Sequence, residues 1–146
     1  MENNDRFKYR VWENRIKEFI YEGSINIRTG AFATGNLLDE KYLIKEQCTG
    51  LKDKNGKLIY EGDIIKTRME TEKGYIHVLG LIVFSFLEYR IKTNKRKEYP
   101  LICAGKFANA LKEETYCNIT EIIGNIHENP ELLEIKNENK AGQKNI

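Results

Sequence analysis

The sequence predicts a mainly β protein with minor α content, folded as a small, tightly bent sheet structure. Asn55-Gly56 stands between apolar runs and is the strongest short-range hairpin signal a chain offers. A two-residue type I′ turn needs positive φ at both positions, and Asn followed by Gly tolerates that best. A second turn follows at Glu61-Gly62-Asp63, where Gly62 can take a left-handed conformation and Asp63 can bond a nearby backbone N–H. Two tight turns a few residues apart describe the corner of a small barrel. The third observation is the run 77–87, the most hydrophobic in the chain, with apolar residues on both parities. A strand covered on both faces explains it best.

The elements follow in order. Residues 7–12 alternate, with Phe7, Tyr9 and Val11 on one side and Lys8, Arg10 and Trp12 on the other. A turn at Glu13-Asn14-Arg15 leads to a returning strand at 16–21, and Glu22-Gly23 turns into a third short run at 24–28. Residues 6–28 therefore read as a β-meander that must pack on the rest, because an isolated hairpin is marginal in water. Trp12 reads as core rather than as a binding platform. Residues 29–47 hold Gly30 and Gly35, and 36–44 reads as a short helix or a loop ending in a strand, with Asn36 as a helix cap. Ile64-Ile65 opens the next strand. Residues 67–74 read as a solvated connection.

Within 77–87, Gly80 marks a bulge or bend and His77 a boundary position. Val83 and Phe84 are expected inside. Residues 89–97 carry Arg90, Lys92, Lys95, Arg96 and Lys97 with no acid among them, and Thr93-Asn94 suits a hairpin tip. Leu101-Ile102-Cys103 reads as a short strand, 106–113 as a short helix packed through Phe107 and Leu111, and 118–126 as a closing strand. In that strand Gly124 allows close backbone approach. Asn129 is expected to cap a helical turn whose first position is Pro130, with Leu132 and Leu133 covering an open end of the barrel. From 137 onward nothing can be buried, so a disordered tail is expected.

At 146 residues the chain has a single-domain length and can bury a respectable core. Its organisation reads as an N-terminal meander and variable loop at 1–47, a barrel core at 48–136 and a tail at 137–146. With 24 Lys and Arg against 22 Asp and Glu, the net charge of +2 is too small to imply a polyanion partner. Only two prolines and as many as eight tyrosines suit a sheet-rich protein rather than a disordered one. Cys48, Cys103 and Cys117 are odd in number and form no Cys-x-x-Cys pair. With His77 and His127 isolated, they supply no zinc template, and each reads as a buried reduced thiol. The polar start Met-Glu-Asn-Asn-Asp is no signal peptide, and no apolar run approaches the roughly 20 residues a bilayer span needs, so a cytosolic protein is expected.

Three blocks carry a family resemblance. They are Thr49-Gly-Leu-Lys-Asp-Lys-Asn-Gly-Lys-Leu-Ile-Tyr-Glu-Gly-Asp-Ile-Ile65, Phe7-Lys-Tyr-Arg-Val-Trp12, and Ile122-Ile-Gly-Asn-Ile-His-Glu-Asn-Pro-Glu-Leu-Leu133. In their order along the chain they resemble the YopX family, whose members are encoded mainly by phages and prophages. Glu13 stands where the family usually has an aspartate, and His127 where an aromatic residue is more usual. The resemblance implies an SH3-type β-barrel in the central and C-terminal part, and a phage or prophage origin. It brings no catalytic residues with it.

The residues offer no phosphate-binding glycine loop, no metal cluster and no nucleophile–base arrangement, so no catalytic, metal or cofactor site is assigned. Asp63 reads as a turn cap rather than a catalytic carboxylate, and Glu61 as a solvated edge residue. The structural motif residues are Asn55, Gly56, Gly62, Asp63, Gly80, Gly124, Asn129 and Pro130. Two binding classes are weighed. One is a non-catalytic module for an unknown host or phage protein, or for a second copy of the chain. The other is nucleic-acid binding through the basic hairpin, with Tyr89 and Tyr99 stacking on bases beside Arg90, Lys92, Lys95, Arg96 and Lys97. The competing reading of that hairpin is a solvated edge kept from pairing by its lysines. The low net charge favours the protein partner.

Overall fold

A computed structural model describes residues 8–24, 40–85, 87–101 and 119–134. Among these the strands are β1 (Lys8–Glu13), β2 (Glu18–Ser24), β3 (Leu43–Lys52), β4 (Leu58–Tyr60), β5 (Asp63–Thr71), β6 (Gly74–Ser85), β7 (Glu88–Lys92), β8 (Glu98–Pro100) and β9 (Glu121–Asn125). One-turn 3-10 helices occupy Glu40–Tyr42 and Pro130–Leu133. The strands form a four-stranded sheet in the order β2-β1-β3-β4 and a five-stranded sheet in the order β8-β7-β6-β5-β9, antiparallel throughout. The protein is mainly β, with a sheet curled into half a barrel.

β1 and β2 form the expected first hairpin, turning through Asn14 to Lys17. The turn expected at Glu22-Gly23 is absent, because β2 stays paired with β1 through Ser24, and the rest of the third run, 25–28, lies outside the described residues. The other neighbour of β1 is β3, with Trp12 opposite Ile44. β3 is continuous across residues 47 and 48.

The hairpin at Asn55-Gly56 is present, but its turn differs from the expected type I′. Only Gly56 has positive φ, at 80°. Gly56 N–H donates to Asp53 O at 3.0 Å and Asp53 N–H to Lys57 O at 2.8 Å. This is a type I turn completed by a left-handed glycine, a three-residue connection. The reason is Asp53. Its Oδ1 accepts the N–H of Asn55 and of Lys57, which holds Asn55 on the right-handed side.

Residues 67–74 are a correction as well. β5 runs to Thr71 and β6 starts at Gly74, so the segment is a hairpin with Glu72 and Lys73 at its tip. Arg68, Glu72 and Lys73 are exposed while Thr67 is buried, and the backbone bonding continues through the segment.

The central strand is present as β6, but it is covered less evenly than its composition implies. Val78 and Ile82 are buried with Gly80 between them, Val83 is half-buried, and Phe84 is 52% exposed. Leu87, at the β6–β7 turn, is 93% exposed and has φ 64°. An apolar run cannot by itself say where its sheet ends, and β6 outruns its cover at this end. At Gly80 a Cβ would stand 2.6 Å from Ile91 Cγ2, so β7 approaches closely there without a bulge.

The core joins Ile59, Ile65, Val78, Ile82 and Ile91, with Leu51, Met69, Tyr89, Tyr99, Leu101 and Ile122 packed around it. Closing strand β9 pairs with β5, and a bulge falls between Ile64 and Ile65 in that register. Pro130 opens the final 3-10 turn as expected, and Leu132 and Leu133 are half-buried. Asn129 caps nothing in that turn. Its Oδ1 instead accepts the N–H of Asn125 at 3.3 Å and presses against Gly124, where a Cβ would meet it at 2.6 Å. The helix expected at 106–113, Leu101-Ile102-Cys103 beyond Leu101, the region 29–39 and the tail 137–146 lie outside the described residues.

Candidate functional site

Arg10 sits in the middle of β1, where alternation turns its side chain away from Tyr9 and Val11 and toward the second sheet. It is buried, with 10% of its side chain exposed. Its guanidinium bonds Glu46 Oε2 through Nε at 2.6 Å, Asp63 Oδ1 through Nη1 at 2.8 Å and Glu61 O through Nη2 at 3.1 Å. The fork therefore joins β1 to β3 and to the start of β5. Phe19 and Tyr60 lie against it, 4.7 and 4.8 Å from its Cζ. The contact suits a delocalised, weakly hydrated cation.

The second oxygen of Glu46 accepts from His127 Nε2 at 2.5 Å. The His127 ring stacks on Trp12 at 4.7 Å with 12° between planes, and Phe19 meets Trp12 edge-on at 4.9 Å. The flat ring of His127 thus fills an aromatic position while adding a polar contact. The same cluster explains Gly62. With φ 84° it suits glycine, and a Cβ there would collide with the Glu46 carboxylate.

Burial opposes the charge of Arg10, but Asp63 and Glu46 more than offset it and hold its pKa above the ordinary value. Burial raises the Asp63 carboxyl above the usual aspartate range, although Arg10 and the Tyr60 N–H favour its ionised form. Tyr60 is raised by burial and by the nearby Glu22 charge, and its hydroxyl donates to Glu22 Oε1 at 3.2 Å. Both oxygens of Glu46 and both of Asp63 are engaged, because Asp63 Oδ2 accepts the Tyr60 N–H at 2.8 Å. Asp63 thus caps its turn three residues backward, as the turn-cap reading expects, and also carries a buried ion pair. Glu61 is half-buried rather than solvated, and its Oε2 accepts the N–H of Gln47.

Above this floor, between the two sheets, opens a cleft of about 670 Å³. Arg10, Phe19, Tyr60 and Asp63 line its base, and Leu58, Ile122 and Ile123 its apolar wall. Lys8, Lys52, Lys57, Glu22 and Glu128 complete the lining. The walls come from β1, β2, the β3–β4 hairpin and β9, so the cleft exists only once both sheets are in place.

The basic hairpin is divided. Lys92, Lys95, Arg96 and Lys97 are exposed at one end. Arg90 pairs with Glu88 and with Glu98, the latter at 3.2 Å. Tyr89 and Tyr99 pack on the core rather than standing free as stacking platforms. Burial, with the Glu61 charge behind it, pushes the Tyr89 hydroxyl up to about 12. Arg96 has φ 60° in a turn built like the one at Gly56, with Thr93 N–H donating to Lys97 O at 2.8 Å. Cys48 is a buried thiol, outside the cleft lining, whose Sγ accepts the Gly50 N–H at 3.4 Å, while Cys103 and Cys117 lie outside the described residues. His77 is exposed.

Sequence reasoning picked out Asp63 and Gly62 but missed Arg10, Glu46 and the cleft itself. Arg10 meets partners 36 and 53 positions away in the chain, and no local pattern encodes that meeting. The available signal was a charged residue inside an aromatic strand, next to Trp12.

Among the described residues no group of three or more His, Cys, Asp or Glu side chains is placed to hold a metal ion. No helix among them is long and apolar enough to cross a membrane. Protein EF1440 from Enterococcus faecalis, a solved structure, is 26% identical, with 87% of this chain and 97% of that chain covered and a TM-score of 0.48. Protein yopX from Bacillus subtilis is 17% identical, with 88% and 97% covered and a TM-score of 0.48. No curated protein matches. The family model described as YopX protein matches residues 8–134, from the first residue of β1 past the last helical turn, and the chain belongs to the YopX family.

Proposed function

We propose that this chain is a non-catalytic binding module for a protein partner, a host or phage protein, and serves as a phage or prophage accessory factor in the host cytoplasm. The observation that carries the reading is the 670 Å³ cleft between the sheets. Its wall mixes aliphatic side chains with lysines, the composition that receives a short segment of another chain. The floor supports a binding role over a catalytic one. A general base or nucleophile needs an atom free to meet substrate, whereas the oxygens of Glu46 and Asp63 are bonded within the protein.

The test is affinity capture from the infected host, comparing the natural chain with Leu58→Arg, which fills the cleft from a half-buried position. A partner held by the natural chain and lost from a folded Leu58→Arg is the expected result. Equal capture by both overturns the cleft reading, and so does the absence of any partner above background.

The exposed cluster of Lys92, Lys95, Arg96 and Lys97 favours a second reading, nucleic-acid binding by phosphate contact without base stacking. Retention on single- and double-stranded DNA and RNA at low salt, lost when Lys95, Arg96 and Lys97 are replaced by Ala, supports it. No retention at low salt removes it.

A further inference from the structure

The cleft between the sheets is polarised along its length. β9 forms one wall. It runs from the β3–β4 hairpin, where the Ile122 N–H donates to Asp53 Oδ2, to the floor, where Asn125 lies opposite Asp63. At the hairpin end Lys52 and Lys57 belong to the lining, Lys52 opposite Leu58 and Lys57 just before it. Among the described residues neither lysine has an ion-pair partner. The Glu121 carboxylate is taken by Lys54 at 2.9 Å, and the Asp53 carboxylate is buried and accepts three backbone N–H groups.

The floor end has the opposite character. Its carboxylates are Glu22, Glu128 and Asp63, and each is bonded within the chain. Glu22 accepts the Tyr60 hydroxyl, Glu128 the Asn125 amide at 2.8 Å, and Asp63 the Arg10 guanidinium. Each of the three Arg10 nitrogens already makes a bond of its own. An incoming carboxylate therefore meets like charge at the floor and two unpaired ammonium groups at the hairpin.

Between the two ends stands the apolar wall. The bulge in the β5–β9 register leaves Ile123 without a residue opposite it on β5. Ile122 and Ile123 consequently both line the cleft with Leu58, where regular alternation would send consecutive side chains to opposite faces. A nucleic acid suits this surface poorly. Bases bind by stacking on aromatic rings, and the Arg10 guanidinium lies over both rings of the cleft, Phe19 and Tyr60, at 4.7 and 4.8 Å. Phosphates would also be repelled by the carboxylates of the floor.

We infer that the occupant of the cleft is an acidic peptide segment, with Asp or Glu at the Lys52–Lys57 end and aliphatic side chains against Leu58, Ile122 and Ile123. The inference rests on the cleft reading and adds to it the chemistry of the partner. The aliphatic contacts supply the burial, and the two lysines fix the direction in which the segment lies and speed its encounter.

The experiment selects short random peptides displayed on phage against the natural chain and measures the enriched peptides by fluorescence anisotropy. They are expected to carry an excess of Asp and Glu beside Ile, Leu or Val. Their affinity should fall at least about tenfold on the double variant Lys52→Glu/Lys57→Glu, with its circular dichroism spectrum unchanged. An enriched peptide whose acids are replaced by Lys should bind the double variant better than the natural chain, a reversal that structural damage would not produce. Equal binding to a folded Leu58→Arg, or no enrichment at all, overturns the cleft reading and this inference with it. Peptides that require Leu58 but show no acidic excess, or that bind the double variant as tightly as the natural chain, overturn this inference alone. An oligothymidylate that displaces the bound peptide does so too.

Discussion

Arg10 keeps its charge in a buried position because two carboxylates and a carbonyl surround it. Replacing it with Met leaves Glu46 and Asp63 buried without their cation. Urea unfolding should show a loss of about 3–5 kcal/mol, the cost of breaking a buried pair from one side. A loss below about 1 kcal/mol would mean that the cluster is solvated in solution. Glu13 gives a prediction in pH. The backbone N–H of Arg15 donates to its Oε1 at 2.8 Å and, against the opposing effect of burial, lowers its pKa from 4.5. A depressed carboxyl stabilises the fold above its unfolded pKa, and that contribution disappears as pH falls through the folded value. The stability difference between the natural chain and Glu13→Gln should therefore be largest near neutrality and shrink below about pH 4.5. Unfolding titrations at several pH values read it directly, and a difference that stays constant contradicts the hydrogen bond's role.

The two three-residue hairpins make an element-scale comparison. The turns after Asp53 and after Thr93 share the same pair of backbone bonds, but one has Gly56 at the left-handed position and the other Arg96. A side chain in that conformation costs about 1–2 kcal/mol. Gly56→Ala should destabilise by about 1 kcal/mol, and Arg96→Gly should stabilise by about 0.5–1 kcal/mol despite the entropy of glycine. Thermal melts giving both changes the same sign would show that the turns are not equivalent. Strand β6 provides the second test. Ile82→Ala should cost about 2–5 kcal/mol, as for a fully buried aliphatic side chain. Phe84→Ala should cost less than about 1.5 kcal/mol, because the ring is half exposed and its packing is mainly an edge contact with Tyr89 at 5.1 Å. The reverse order would place the inner face of β6 one residue out of register.

At the scale of the whole molecule, the sheets are joined by polar latches as well as by the core. Asp53 is the clearest. It sits at the end of the β3–β4 hairpin, and its Oδ2 accepts the N–H of Ile122 on β9 at 3.1 Å. Beside it Lys54 N–H donates to Thr120 O at 2.8 Å, and Thr67 and Thr120 share a buried hydroxyl bond at 2.9 Å. Asp53→Ala strips three backbone donors of their acceptor, two of them in exposed residues where water can substitute. The expected cost is about 2–3 kcal/mol in chemical unfolding. If the change is below about 0.5 kcal/mol, water replaces all three bonds and the latch does not hold the sheets together.

The sequence by itself determined the β class, the corners and the family. Alternation in β1, the Asn-Gly and Glu-Gly-Asp turns and the apolar run of β6 are local, because turn geometry and side-chain parity act over a few residues. It did not determine that Asn55 would yield the left-handed position to Gly56 alone. Nor did it show that 67–74 would remain paired backbone or that Phe84 would face water, since each depends on where neighbouring strands stop. The meeting of Arg10 with Glu46, Asp63 and the Phe19–Tyr60 pair was decided only by tertiary structure, and so was the cleft above them. Those residues are distant in the chain, and buried charges find their partners only when two sheets close over them.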